Sequence, residues 1–253
     1  MAFAIIFAFL LSGCAGKKGP QFSWPVEQQL QYNVSVDRTG MPRQTGSIDF
    51  NHRLILDFDV SCNAAVATGK KQKMNCRITS PIRSWEDVTK TNLLSQETAK
   101  GEIKTTWKER ELKAVTYEEV GPFFEDVIGN VMGGLSLHGI PDECQPDYSW
   151  KNKGSKKLME TVGLSGPGSY RVNHTIQSCG EQMVIVSAGQ STASAQALDN
   201  AQAAWFGFES IRTTAIDEKS GVIVFSTFAQ KLVSSSTRAD AGAIVQTITI
   251  TQK

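Results

Sequence analysis

Along residues 48–62, apolar and polar side chains alternate almost without a break. The even positions are Ile48, Phe50, His52, Leu54, Leu56, Phe58, Val60 and Cys62. The odd positions between them are Asp49, Asn51, Arg53, Ile55, Asp57, Asp59 and Ser61, all polar except Ile55. A period of two sends one set toward a core and the other toward water, which predicts a half-buried strand. At about 3.3 Å per residue the run spans about 50 Å. That length suits a large curved sheet better than a small sandwich.

The chain then predicts its own return. With Gly69 at the centre of the loop Thr68-Gly69-Lys70, Cys62 faces Cys76, Ala64 faces Met74, Val60 faces Ile78 and Leu56 faces Ile82. All these pairs fall on the apolar face, and a slip of one residue would destroy the match. Cysteines placed directly opposite one another are within disulfide reach, so Cys62 is expected to bond Cys76.

Other segments show weaker versions of the same pattern. Leu30, Tyr32, Val34 and Val36 share one side of a strand that ends in turn residues at Arg38-Thr39-Gly40-Met41-Pro42. Hairpins are expected from 101–108 with 111–120, from 170–178 with 182–188 around Cys179-Gly180, and from 208–216 with 222–233. Ile244, Ile248 and Ile250 belong to a last strand, and Trp150 with 158–164 suggests one more. Two stretches read as helices. Phe123, Phe124, Val127, Ile128, Val131, Met132 and Leu135 recur at helical spacing behind Pro122, with Glu125 and Asp126 near the positive end. Ala193, Ala197, Ala201, Ala204 and Trp205 share a helical face that Thr192 can cap. Ser84-Trp85-Glu86-Asp87 suits the start of a third, short helix. The fold class expected is mainly β (a β-rich α+β), a large curved antiparallel sheet or open barrel with one or two helices packed on it.

The first residues have a different character. Ala2 to Leu11 is an uncharged apolar run, too short to span a membrane and of the length of a secretory signal core. It closes on Leu11-Ser12-Gly13-Cys14, which resembles the bacterial lipobox. The resemblance implies diacylglycerol on the Cys14 thiol, cleavage between Gly13 and Cys14, and acylation of the new amine by the lipoprotein-processing machinery. Several acyl chains make a stable anchor. Ala15 stands where inner-membrane retention in enterobacteria typically needs Asp, so the resemblance points to the outer membrane, facing the periplasm or the cell surface. No Lys or Arg precedes the apolar run, which fits a natural start upstream of Met1. An ordinary secretory signal with a chance cysteine is the plainer alternative. The organisation expected is a signal peptide at 1–13, a lipidated tether at 14–24 and a single β-rich domain at 25–253.

With Cys14 set aside for lipid, four of the 5 cysteines remain, an even number suited to an oxidising envelope. Pairing Cys62 with Cys76 leaves Cys144 for Cys179. Lys+Arg 26 against Asp+Glu 25 gives a formal net charge of +1, so no basic excess suggests nucleic acid.

Sites of chemistry are scarce. Gly163-Leu164-Ser165-Gly166-Pro167 has proline where a nucleophile elbow needs glycine. His52, His138 and His174 are widely spaced and offer no local metal pair. Asp57 to Thr68 starts like a calcium loop but has Cys62 and Thr68 where glycine and glutamate belong. Neither Glu118-Glu119 nor Glu125-Asp126 is placed around a cleft. No catalytic residue, metal or cofactor is expected, and the chain reads as no enzyme. The architecture resembles the open β-barrel of periplasmic lipoprotein carriers and their outer-membrane receptor, a likeness of shape without a residue motif. It implies a hydrophobic ligand or acylated client held by Phe50, Leu54, Phe58, Phe123, Phe124, Val127 and Val131. A structural lipoprotein binding another envelope protein through sheet edges is the alternative, and a hydrolytic enzyme the least favoured.

Overall fold

The computed structural model describes residues 24–26, 28–42, 48–80, 82–85, 93–97, 102–108, 111–118, 128, 131–136, 139–141, 143–156, 168–195, 204–235 and 244–253. Residues 1–23, which hold the expected signal peptide and the lipobox-like stretch with Cys14, lie outside these. Thirteen strands form one antiparallel sheet: β1 (Leu30–Pro42), β2 (Ile48–Ala64), β3 (Lys71–Ile78), β4 (Ile82–Trp85), β5 (Leu93–Glu97), β6 (Glu102–Lys108), β7 (Glu111–Glu118), β8 (Ser149–Lys156), β9 (Gly168–Ser178), β10 (Gln182–Ala195), β11 (Ala204–Asp217), β12 (Ile223–Ser235) and β13 (Ile244–Gln252). Their order is β7-β6-β3-β2-β1-β13-β12-β11-β10-β9-β8, with β4 and β5 branching from β2. The sheet is not closed into a barrel. The mainly-β expectation holds.

The alternation in β2 does what its period requires. Leu56, Phe58, Val60 and Cys62 are buried in one contiguous core with Val34 and Val36 of β1 and Ile248 and Ile250 of β13. Asp59 on the opposite face accepts hydrogen bonds from Asn33 Nδ2 at 3.1 Å and Lys253 Nζ at 2.7 Å. Partial burial works against its charge, but these two donors hold its carboxyl below the ordinary value. Ile55, the apolar exception among the odd positions, is buried outside that core cluster, at the point where β4 pairs with β2.

The register of β2 on β3 is the expected one, Val60↔Ile78, Cys62↔Cys76 and Ala64↔Met74. Cys62 and Cys76 are disulfide-bonded, as are Cys144 and Cys179. Two disulfides indicate an oxidising, non-cytoplasmic compartment. The pairing differs from expectation at both ends. At the tip, Thr68 bridges Lys71 around Gly69-Lys70, with Gly69 at φ +60°, so the loop is one residue shorter. Beyond Ile78, Leu56 faces Ser84 instead of Ile82. The cause is local: Thr79 N–H bonds Asp59 O at 2.9 Å and the Ser80 hydroxyl accepts from Asp59 N–H at 2.7 Å. Ser80 thereby replaces a ladder partner, and two residues are inserted before β4 resumes. An even insertion keeps the parity of faces.

Two helix expectations are corrected. Ser84 and Trp85 belong to β4, not to a helix start. Ala193 ends up in β10 and Ala204 and Trp205 in β11, where Ala195↔Ala204 and Ser194↔Trp205 pair. Ladder pairing along two long strands outweighs the modest helix preference of alanine. Ala197 and Ala201 lie outside the described residues. The first helix is present at 128 and 131–134. Ile128, Val131, Met132 and Leu135 are buried in the sheet's core. Its last carbonyls, which a helix leaves without internal partners, are met from the sheet: Arg212 Nη1 donates to Gly133 O at 3.1 Å and Ser226 Oγ to Gly134 O at 3.3 Å. Among the described residues no helix is long and apolar enough to cross a membrane.

Two expected outcomes follow from these contacts. A Cβ on Gly134 would stand 2.9 Å from Ile250 Cδ1, whereas one on Gly133 meets nothing within 4 Å. Gly134→Val should therefore destabilise the fold by about 1–3 kcal/mol through overpacking, and Gly133→Ala should not, as read from urea unfolding midpoints. In the β11–β12 turn, Ser220 donates its hydroxyl and its N–H to Asp217 Oδ1, each at 2.6 Å, which holds that carboxyl below its usual range. A depressed carboxylate gives stability that is fully present above the unfolded value of about 4 and is lost as pH falls through the lower folded value. Asp217→Asn should flatten the fall in unfolding midpoint at acid pH; parallel losses in variant and parent would refute that role.

Candidate functional site

The strands place side chains on two faces, and the inward face of β1 and β8–β13 is not uniformly apolar. One or two polar residues from each of these strands form a band across it. Arg38 of β1 faces Gln246 of β13, and Gln246 faces Gln230 of β12. Gln230 faces Ser210 of β11, which lies two residues from Arg212 on the same face. Arg212 faces Ser187 of β10, and Ser187 faces His174 of β9. Asn152 of β8 closes the row by bonding His174. At β10 the band also includes Gly189, where a Cβ would lie 2.6 Å from Ser210 Oγ, so a side chain there would collide with the band itself.

Burial sets the energetics. Gln246 is 1% exposed, Arg38 2% and Gln230 4%. Arg38 donates through Nε at 3.0 Å and Nη2 at 2.8 Å to Gln246 Oε1, a fork closing on a single acceptor. Gln246 Nε2, Gln230 Oε1 and Arg212 Nε are sealed from solvent and have no hydrogen-bond partner. Each such atom costs about 1–3 kcal/mol. Arg212 also stacks over Phe228 at 5.2 Å. Burial lowers its guanidinium pKa to about 10, so it is charged at neutral pH. On β1 and β8–β13 no inward-facing position holds Asp or Glu.

The far end of the band is more open. His174 stacks on Trp150 with centroids 4.8 Å apart. Its Nδ1 is 2.8 Å from Ser187 Oγ and its Nε2 3.1 Å from Asn152 Nδ2. An amide nitrogen only donates, so Nε2 accepts and the neutral ring carries its proton on Nδ1. That proton is given to Ser187 Oγ. The imidazole is thus turned the wrong way to take a proton from the serine. Ser187 also sits mid-strand between β9 and β11, where ladder pairing uses the backbone N–H groups that would form an oxyanion hole.

The band separates two apolar regions. On one side lies the main core, with the helical residues and both Phe58 and Val131, each 1% exposed. On the other side Phe206, Phe208 and Leu232 are buried outside that cluster, with Phe206 and Phe208 rings 6.4 Å apart. Of the other residues expected to hold a ligand, Phe50 and Leu54 lie on β2, Leu54 opposite Arg38. Phe123, Phe124 and Val127 lie outside the described residues. His52 is on β2, and His138 is outside them too. Cys144, Cys179 and Glu218 come within 4.8 Å of one another, but both sulfurs are spent in the disulfide and offer no thiolate to a metal. The band was missed in the sequence because each strand contributes one or two polar residues, each an isolated exception. The available signal was the even-numbered row Tyr170, Val172, His174 and Ile176, which places a histidine among inward positions.

No family model matches this chain, and no curated protein matches it. A solved structure of a protein with unknown function from the DUF3598 family of Nostoc punctiforme PCC 73102 aligns at 10% identity over 88% of this chain and 94% of that one, with a TM-score of 0.16. A likeness that slight supports neither a shared fold nor a shared role.

Proposed function

We propose that this is a non-enzymatic, lipid-anchored protein of the bacterial envelope whose β domain binds a hydrophobic ligand or acylated client. The observation that carries the reading is the buried polar band between two apolar regions, with three polar atoms lacking partners. A protein selected only for stability would fill those positions with apolar side chains at little or no cost. A ligand with an apolar body and a polar end uses both properties. The reversed Ser187–His174 pair favours binding over hydrolysis. Among the described residues β7 and β8 end the strand order, which keeps the second reading in view, an assembly lipoprotein that pairs with another envelope protein through its sheet edge. Lys151 and Lys153 stand exposed on β8, a charge pattern that discourages such pairing.

The anchor and the ligand are tested separately. Cys14→Ser should move the protein from the membrane fraction to the soluble one, and continued tight membrane association of that variant would sink the anchor. Native mass spectrometry of the protein, delipidated, refolded and exposed to envelope extract, should show an added mass that organic solvent releases as lipid. Repeated spectra of the bare chain would overturn ligand carriage.

A further inference from the structure

We infer that the ligand is an amphiphile with an anionic head group, a carboxylate or phosphate on a long acyl chain, and that Arg212 receives that head. The inference rests on the ligand-binding reading and narrows it. Arg212 is an inward-facing cation on a group of strands whose inward positions hold no acid. Its neighbours among the described residues do not neutralise it: a helix carbonyl takes one N–H at 3.1 Å, a phenyl ring lies 5.2 Å from its centre, and Nε has no acceptor.

Capping the helix is the plain explanation of Arg212, and it accounts for Nη1 alone. A guanidinium offers five N–H donors in a fixed fork, the geometry that a carboxylate or phosphate accepts in pairs. The band offers groups of both signs: Gln246 Nε2 is a donor without an acceptor and Gln230 Oε1 an acceptor without a donor, but the group directly across from Arg212 is a donor. Ser187, directly across from Arg212, has its hydroxyl proton left over once Oγ accepts from His174. A neutral head would leave the buried charge uncompensated, whereas an anion supplies what the strands omit. Phe208 and Leu232 lie two residues beyond Ser210 and Gln230 on the inward face, which places the acyl chain on that side of the band. A thioether-linked or amide-linked acyl chain of a lipoprotein client carries no such charge, so the inference favours a free amphiphile over an acylated protein.

The test uses the full chain carrying Cys14→Ser, delipidated, titrated calorimetrically with hexadecanoate, hexadecyl phosphate and hexadecanol below their aggregation limits. At least one of the two anions should bind about tenfold or more tighter than the alcohol, the worth of one charge-assisted contact. Preference for hexadecanoate identifies a fatty acid head, and preference for the phosphate a phospholipid-type head. Arg212→Gln keeps an amide donor for Gly133 O and should bring anion and alcohol to about equal affinity, with alcohol binding unchanged. Ser187→Ala provides a second arm that does not depend on the helix cap. It removes the hydroxyl donor across from Arg212 and should weaken anion binding several-fold, with the alcohol least affected. Equal binding of anion and alcohol by the parent, or an undiminished preference in either variant, overturns the anionic head and leaves the hydrophobic-ligand reading standing. Binding of none of the three probes overturns both.

Discussion

The pairing of β1 with β13 is the interaction on which the rest of the architecture depends. Strands β1–β7 form one half of the sheet and β8–β13 the other, and this seam is the strand pairing that joins them. Its register runs from Tyr32↔Gln252 to Arg38↔Gln246. The core crosses the same line, because Val34 and Val36 are buried with Ile248 and Ile250. Each half carries its own disulfide, Cys62–Cys76 in one and Cys144–Cys179 in the other, so neither crosslink spans the seam. Backbone hydrogen bonds, apolar burial and the side-chain contacts Arg38–Gln246 and Lys253–Asp59 hold the halves in register. Non-local closure of this kind comes late and slowly in folding, since the last strand must meet one of the first.

The polar band crosses that seam as well. Arg38 and Gln246 meet across it, and from there the band continues through Gln230 to Arg212 and His174. Gln246 and Gln230, each with an unsatisfied buried atom, weaken the region where the halves join. The main core offsets this by packing Leu56, Phe58, Val60 and the helical residues against the same strands. Stability is therefore concentrated toward one end of the long strands, and polar chemistry sits between that end and the Phe206–Phe208 cluster. A site of mixed character inside a sheet costs stability in its own neighbourhood and needs a strong core beside it.

Much of the fold was legible because half-buried strands write their orientation into every second residue. Residues 48–62 gave strand, face and length, and the Cys62–Cys76 register followed from matching two such patterns about Gly69. Legibility failed where the pattern was weak or the cause was distant. Ala193, Ala204 and Trp205 look helical by period, since small side chains mark neither face, and only the partner strand shows them to be extended. The shift at Ser80 depends on one hydroxyl replacing a ladder bond, which no periodicity records. The candidate site was least legible. Arg38 and Gln246 are 208 positions apart, and nothing local marks either as a neighbour of the other. The stretch that resembles a lipobox is the opposite kind of signal, a short motif read whole from Leu11-Ser12-Gly13-Cys14.

Trp24 has a consequence for how the domain would be held. Its backbone N–H bonds Gln72 Oε1 and its carbonyl accepts from Gln72 Nε2, both at 2.8 Å, while its ring meets Trp107 edge-on at 5.5 Å. Gln72 thus clamps the incoming chain as a neighbouring strand would, beside the Cys62–Cys76 crosslink. A lipid on Cys14 would leave about ten residues of leash, reaching no more than about 35 Å from the bilayer to this clamp. Any tug on the leash would meet this clamp, two hydrogen bonds and a ring contact, before it reached the first residue of β1. The clamp would thus mark where a tether ends and the folded sheet begins.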